Sequence, residues 1–238
     1  MLNELKRTPR KKKTHEQTYL ETRLRVSLDN EPLDDIFNEL RDLIDDDQDD
    51  SDRFEQRYEM GMLLLKCGEK EDAQQEFETA ILDSSYNEKK VWAYGRIAEI
   101  HRGTNLSKAL DAYREIIIMY EDIDNPTDQT KKDAAVAYAY LGMAMMRNND
   151  YAAALNYLNC AIALADKKMY NLLAESNYML AKYKLMQDSK EAKRHMKDAI
   201  SNYEKAINQP KVTADMKAKM GKKLGWLKKE LSRNRSEY

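Results

Sequence analysis

A repeated pattern of apolar and small residues is the feature that most constrains the fold of this 238-residue chain. Its two clearest copies are Met60-Gly61...Ala73...Phe77...Ala80 and Leu141-Gly142...Ala154...Leu158...Ala161. In both copies a glycine is followed by an alanine, an apolar residue and a second alanine at identical offsets. A small residue lets two helices approach closely, and apolar residues at helical spacing fill the space between helices. The pattern therefore predicts pairs of antiparallel helices.

Two looser copies have one residue fewer between their halves. They are Ile97-Ala98...Ala109...Tyr113...Ile116 and Leu180-Ala181...Ala192...Met196...Ala199. The longest insertion between copies surrounds Asp124-Asn125-Pro126-Thr127, which predicts a helix end, a turn and the N-cap of a new helix.

The pattern resembles that of the tetratricopeptide repeat (TPR) family, which reads W-x2-L-G-x2-Y, then A-x3-F, then a later alanine. In the third copy the matching positions are Tyr138, Leu141, Gly142, Met145, Tyr151, Ala154, Leu158 and Ala161. The resemblance covers residues 53–208, although these repeats are longer than the family's roughly 34 residues. It implies an all-α, right-handed superhelix of about four TPR-like helical hairpins with flanking helices.

Composition and patterning divide the chain into four predicted regions. These are a basic, disordered tail (1–30), an amphipathic helix with an acidic linker (31–52), the repeat domain (53–208) and a basic C-terminal capping helix (209–238). Only seven Gly and four Pro interrupt the chain, which favours helix nearly throughout.

Apolar stripes mark both flanking helices. The first comprises Leu33, Ile36, Phe37, Leu40, Leu43 and Ile44, and the second Val212, Met216, Met220, Leu224, Leu227 and Leu231. Terminal repeats need covers, so each stripe is expected to pack on the neighbouring repeat. Alternatively, the first stripe docks into a partner's groove, and the basic C-terminal helix binds a membrane surface or nucleic acid.

Charge is near balance overall but lies in blocks. Residues 1–25 carry eight basic and three acidic side chains, and residues 211–235 carry nine basic and two acidic side chains. Such ends could bind nucleic acid, or serve only as solubilising segments. Because the sequence lacks both a long apolar stretch and the apolar core of a secretory signal, we expect no transmembrane segment and a cytoplasmic location. The two isolated cysteines, Cys67 and Cys160, are expected to be buried thiols.

No set of residues converges on catalysis. His15, His101 and His195 are scattered, and neither a nucleophile elbow nor a phosphate-binding glycine loop is present. We therefore expect a protein that is not an enzyme, with no catalytic residue, metal site or cofactor.

Binding to another protein, either an extended peptide or a helix, is the function that the resemblance implies. First helices of successive TPR hairpins line the concave surface, which yields the predicted partner-binding residues Tyr58, Met62, Trp92, Arg96, Arg102, Tyr140, Met143, Arg147, Tyr178 and Lys182. Val136 belongs to the same inner face. Aromatic residues, Met and Arg suit such a surface, although Tyr58, Val136 and Tyr140 could instead pack between repeats.

The sequence thus predicts an interaction scaffold or adaptor. Two alternatives remain open: an RNA- or ribosome-associated factor that uses the basic termini, and a peptide-sensing regulator. The partner, and whether the chain is a monomer or a dimer, do not follow from the sequence.

Overall fold

The structure, a computed structural model, describes Thr22 and residues 33–47, 49–187, 190–210 and 212–233. Helices and the turns between them account for these residues, with no strand among them, so the predicted all-α class is confirmed. The predicted tail of residues 1–30 lies outside the described residues, apart from Thr22.

Ten helices occur in the described ranges. They are α1 (Leu33–Asp45), α2 (Asp50–Cys67), α3 (Lys70–Asp83), α4 (Asn87–His101), α5 (Leu106–Glu121), α6 (Asp128–Arg147), α7 (Tyr151–Leu164), α8 (Tyr170–Met186), α9 (Glu191–Ile207) and α10 (Ala214–Arg233). None of these helices is long and apolar enough to cross a membrane.

The chain divides into two compact units, with the boundary between Ile100 and His101. In unit 1, α1 contacts α2, and α2 packs against α3. In unit 2, each helix from α5 to α10 packs against the next, and α6 also contacts α8. Packing between chain neighbours is typical of a solenoid. The predicted limits of the repeat domain, 53–208, include helices of both units and stay a prediction.

Glycines mark the closest approach between paired helices. A Cβ atom at Gly61 would lie 2.7 Å from Cε1 of Phe77. A Cβ at Gly142 would lie 2.8 Å from Cγ and 3.2 Å from the backbone N of Leu158. Contacts this short are repulsive in a close-packed interior, so the small residue that opens the first and third copies is a steric requirement.

Matching turns follow these two glycines. Gly68 and Asn149, each seven residues further on, have positive φ angles of 95° and 61°. The next residue donates its backbone N–H back to the helix in both turns, from Glu69 to Leu64 at 3.0 Å and from Asp150 to Met145 at 3.0 Å. This is a left-handed helix end, which glycine and asparagine tolerate best. The two copies therefore share their turn geometry.

Side-chain caps begin several helices of unit 2. The predicted cap, Thr127, accepts a hydrogen bond from the backbone N–H of Thr130 at 3.3 Å, and Asn105 and Asp150 cap α5 and α7 in the same way. Each cap satisfies a backbone N–H that has no partner within the helix. The insertion near Pro126 thus ends one helix and begins another, as predicted.

Helix α1 buries its apolar stripe within unit 1. Ile36, Phe37, Leu40 and Ile44 are all buried. An ionic cluster holds the same helix: Glu76 on α3 lies between Arg41 on α1, at 2.7 Å, and Arg57 on α2, at 3.2 Å. Arg57 also contacts Asp45, the last residue of α1. The structure thus agrees with α1 folding back on the first hairpin.

At the other end of the chain, α10 covers α9. Its stripe buries Met220 and Leu227 against a cluster that includes Met196 and Tyr203, while Met216 remains exposed. The cysteine prediction was wrong, because Cys67 and Cys160 are both exposed. Cys67 is the last residue of α2, and Cys160 lies off the buried face of α7 that Ala154, Leu158 and Ala161 form.

Replacing Gly142 with alanine should destabilise unit 2 by about 1–3 kcal/mol, because the new methyl group overlaps Leu158. The matched control is Gly221→Ala in α10, where a Cβ would meet nothing within 4 Å. That variant should gain up to about 1 kcal/mol from helix propensity alone. Urea unfolding in a Trp92→Phe background, followed by Trp226 fluorescence, measures both changes; equal effects of the two variants would contradict the steric argument.

Removing the Glu76 carboxylate should destabilise unit 1 by about 1.5–3 kcal/mol, because Arg41 and Arg57 each lose one charged hydrogen-bond acceptor, although Arg57 keeps its contacts with Asp45 and Asp83. The free energies of unfolding of Trp226→Phe and of Trp226→Phe with Glu76→Gln are compared. In both, Trp92 is the only remaining tryptophan, so its fluorescence during urea unfolding reports on unit 1. The control, Asp111→Asn, removes the partner of Arg114 in an exposed pair and should cost less than about 1 kcal/mol. A Glu76→Gln variant as stable as its background would show that the cluster does not hold α1.

Candidate protein-binding site

In unit 1, the predicted binding residue Tyr58 on α2 packs against aromatic rings of its own hairpin. Tyr58 stacks on Phe54, with ring centroids 5.9 Å apart, and meets the Phe77 ring at 5.5 Å. Tyr58 and Met62 are both only half-buried. The close approach at Gly61 brings Phe77 onto this side of α2, so Tyr58 packs within its own hairpin and not between repeats, which was the alternative interpretation.

On α4, Trp92 and Arg96 are also half-buried. Nη1 of Arg96 pairs with Oε2 of Glu99 at 2.6 Å, while its Nε is buried without a hydrogen-bond acceptor among the described residues. An i,i+3 pair of this exposure contributes at most about 1 kcal/mol. A carboxylate of a partner could therefore displace Glu99 from Arg96.

Unit 2 contains a pocket of about 260 Å³. One wall is a single face of α6 that includes Val136, Ala139, Tyr140 and Met143. The opposite side is built by the turn before α8 and the first turns of that helix, from Lys168 to Leu172 and at Glu175. Arg102 and Gln209 complete the lining. The pocket thus exists because α8 packs beside α6.

An aromatic and cationic stack shapes the α6 side of the pocket. The Tyr140 ring lies 5.0 Å from the Tyr113 ring with an interplanar angle of 13°. The Arg102 guanidinium lies over the Tyr140 ring at 5.6 Å from its centroid. Stacking of this kind restrains an otherwise flexible arginine at the pocket rim. Three predicted binding residues, Arg102, Tyr140 and Met143, therefore converge here.

Charge on the α8 side is partly neutralised within the chain. Nζ of Lys223 on α10 donates to both carboxylate oxygens of Glu175, at 2.7 and 2.6 Å. Lys205 on α9 lies over the Tyr170 ring at 5.6 Å. The Lys168 backbone donates to Asp166, whose carboxylate lies 3.9 Å from Lys132. Both carboxylates near this wall are thus already engaged.

Tyr178 and Lys182 lie further along α8 and do not line the pocket. The Tyr178 ring meets the edges of Tyr203 and Trp226, with centroids 6.4 and 5.5 Å away, so it packs in the core that α10 covers. Burial, and then the charge of Glu175, raises the pKa of Tyr178. Lys182 is exposed and lies over the same ring at 5.8 Å. Arg147, also exposed, follows Met143 by one turn of α6 but lies outside the lining.

Sequence reasoning missed eight of the twelve residues that line the pocket, including its whole α8 side. Asn171 and Glu175 lie on the same face of α8 as Tyr178 and Lys182. Continuing the helical spacing from Tyr178 toward the N-terminus of α8 would therefore have identified them. Lys168 and Gln209 carry no such signal, because they lie in turns that only packing brings to α6.

Other titratable groups in unit 2 serve the core. His195 is buried, and its Nδ1 lies 2.8 Å from Oδ1 of Asn177. Burial, together with the charge of Arg194, lowers its pKa. Across the described ranges, no group of three or more His, Cys, Asp or Glu side chains could hold a metal ion.

Comparisons of the sequence with protein families and with curated proteins found no match. The TPR resemblance therefore stays an interpretation of the repeat pattern. What the geometry contributes is a small pocket with an apolar wall, a polar wall and a positively charged rim.

Replacing Tyr178 with alanine should destabilise unit 2 by about 2 kcal/mol, because the ring fills space between Tyr203 and Trp226. Tyr178→Phe keeps the ring and is the matched control, with an expected change below about 1 kcal/mol. Urea unfolding in a Trp92→Phe background, followed by Trp226 fluorescence, reports both variants. If Tyr178→Ala is as stable as the protein with Tyr178, the ring does not stabilise the core, and Tyr178 remains a candidate partner contact.

Proposed function

We propose that the protein is a non-enzymatic interaction scaffold, an adaptor of TPR-like hairpins that binds a peptide or helix of another protein. The observation that carries the proposal is the unit 2 pocket, where Arg102, Tyr140 and Met143 lie together. Arginine and tyrosine dominate the energetic centres of protein interfaces, and methionine adapts to varied partners. All three residues were predicted as partner contacts from the repeat pattern alone.

The size of the pocket supports a protein ligand. Sites for whole small molecules usually span about 300–1,000 Å³, and this pocket has about 260 Å³. A volume of this size accommodates one or two side chains. The remainder of a partner segment would then lie on the surrounding surface, where exposed Arg147 and Lys182 are available.

The repeat interpretation is supported by features that the pattern did not include. The first and third copies share a steric contact at the glycine, against Phe77 and Leu158, and a left-handed turn seven residues later. Contact between α6 and α8, the first helices of consecutive hairpins, is the arrangement that a TPR-like array requires.

The RNA- or ribosome-associated alternative gains less support. On α10, three of its lysines already pair with acidic residues: Lys219 with Asp215, Lys223 with Glu175, and Lys228 with Glu204. These pairs reduce the charge available for phosphate contacts, on which binding of nucleic acid depends.

Peptides enriched from a random display library on the full-length protein test the proposal. We expect saturable binding that weakens by about tenfold in Met143→Ala, because this side chain is part of the apolar wall. Met145→Ala is the matched control: it removes a half-buried methionine of the same helix that does not line the pocket. Circular dichroism confirms that both variants are folded.

Two results would contradict the proposal. The first is a library that yields no saturable ligand. The second is a set of ligands whose affinity falls equally in the two methionine variants, since such ligands would bind elsewhere or respond only to stability.

A further inference from the structure

The cations around the unit 2 pocket come from different parts of the chain. Arg102 precedes α5, Lys168 precedes α8, and Lys205 lies on α9 beside the lining residue Tyr170. Glu175 is the only acidic residue in the lining, and Lys223 engages both of its oxygens. The rim therefore brings three cations, Arg102, Lys168 and Lys205, close to an apolar wall.

We infer that this pocket binds a segment of a partner protein in which acidic side chains flank one large apolar side chain. The inference rests on the proposed function and specifies its ligand. The apolar side chain contacts Val136, Ala139 and Met143 and thereby loses its contact with water. The flanking carboxylates contact Arg102 and Lys168 at the rim, where a guanidinium can form paired hydrogen bonds with a carboxylate.

Several side-chain carboxylates match this set of cations better than a single chain-terminal carboxylate does. The set comprises Arg102 and Lys168, which line the pocket, and Lys205, which lies over the lining residue Tyr170. Several acidic groups spaced along an extended segment can reach such a rim together. Complementary charge of this kind contributes mainly to specificity and to the rate of association.

Nucleic acid, which is also anionic, fits less well. Single-stranded nucleic acid binds by stacking its bases on open aromatic faces. Here the Tyr140 ring already stacks on Tyr113 and lies under Arg102, and Lys205 lies over the Tyr170 ring. The aromatic rings at the pocket are thus engaged within the chain, whereas the apolar wall of α6 remains open to an aliphatic or aromatic side chain.

The test uses the full-length protein and two synthetic peptide libraries, both acetylated and amidated at their ends. One has Asp or Glu at the positions that flank a central Phe or Leu, and the other has Asn or Gln at the same positions. We expect the acidic library to bind about tenfold more tightly at low salt, with the difference shrinking as salt screens the charges. Fluorescence polarisation measures both affinities.

The variants separate the pocket from general charge. Arg102→Gln with Lys168→Gln should weaken binding of the acidic library about tenfold and leave the amide library unchanged. The control, Arg114→Gln with Lys167→Gln, removes the same charge from exposed positions outside the pocket and should have no effect. Equal losses in the two double variants would overturn the inference.

Each remaining outcome has one meaning. If both libraries bind equally and both are weakened by Met143→Ala, the acidic preference is wrong and the proposed function stands. If neither library binds, the inference fails, and the random display library decides the proposed function separately. An oligouridine RNA that binds saturably, and loses affinity only in Arg102→Gln with Lys168→Gln, would replace the acidic peptide as the ligand.

Discussion

The close approach of paired helices at a glycine is the contact on which the hairpins depend. At Gly142 the backbone of α6 comes so near to Leu158 that even a methyl group has no room. This proximity brings the apolar residues of α6 and α7 into contact, and the left-handed turn at Asn149 directs the chain into it. The same combination recurs at Gly61 and Gly68 in unit 1.

From this contact the binding surface follows by packing. When α6 and α7 form a hairpin and α8 packs on both, the face of α6 that carries Tyr140 and Met143 borders the start of α8. The pocket lies where the two first helices meet. Its apolar wall comes from one helix and its charged rim from several segments, so in the proposed complex the wall would supply contact area and the rim would select the ligand by charge.

Unit 1 uses charge in a different way. There the arginines turn inward, and Glu76, which is 4% exposed, lies between Arg41 and Arg57. Burying these charges is costly unless each finds a partner, and in this cluster each arginine contacts at least one carboxylate. The apolar stripe of α1 supplies the favourable burial, and the ion pairs select its orientation.

By itself the sequence determined the helical class, the first and third hairpins, the cap at Thr127 and the inward stripe of α1, because each depends on spacing along one helix or on one steric requirement. It also placed Arg102, Tyr140 and Met143 among the candidate contacts. Only the tertiary structure decided that the half-buried Tyr58 and Tyr178 pack against neighbouring aromatic rings, that the cysteines are exposed, and that Lys168 and Gln209 reach the pocket. A period of 3.6 residues specifies which residues share a helix face, but not which neighbouring helix covers that face, nor where the turns come to lie.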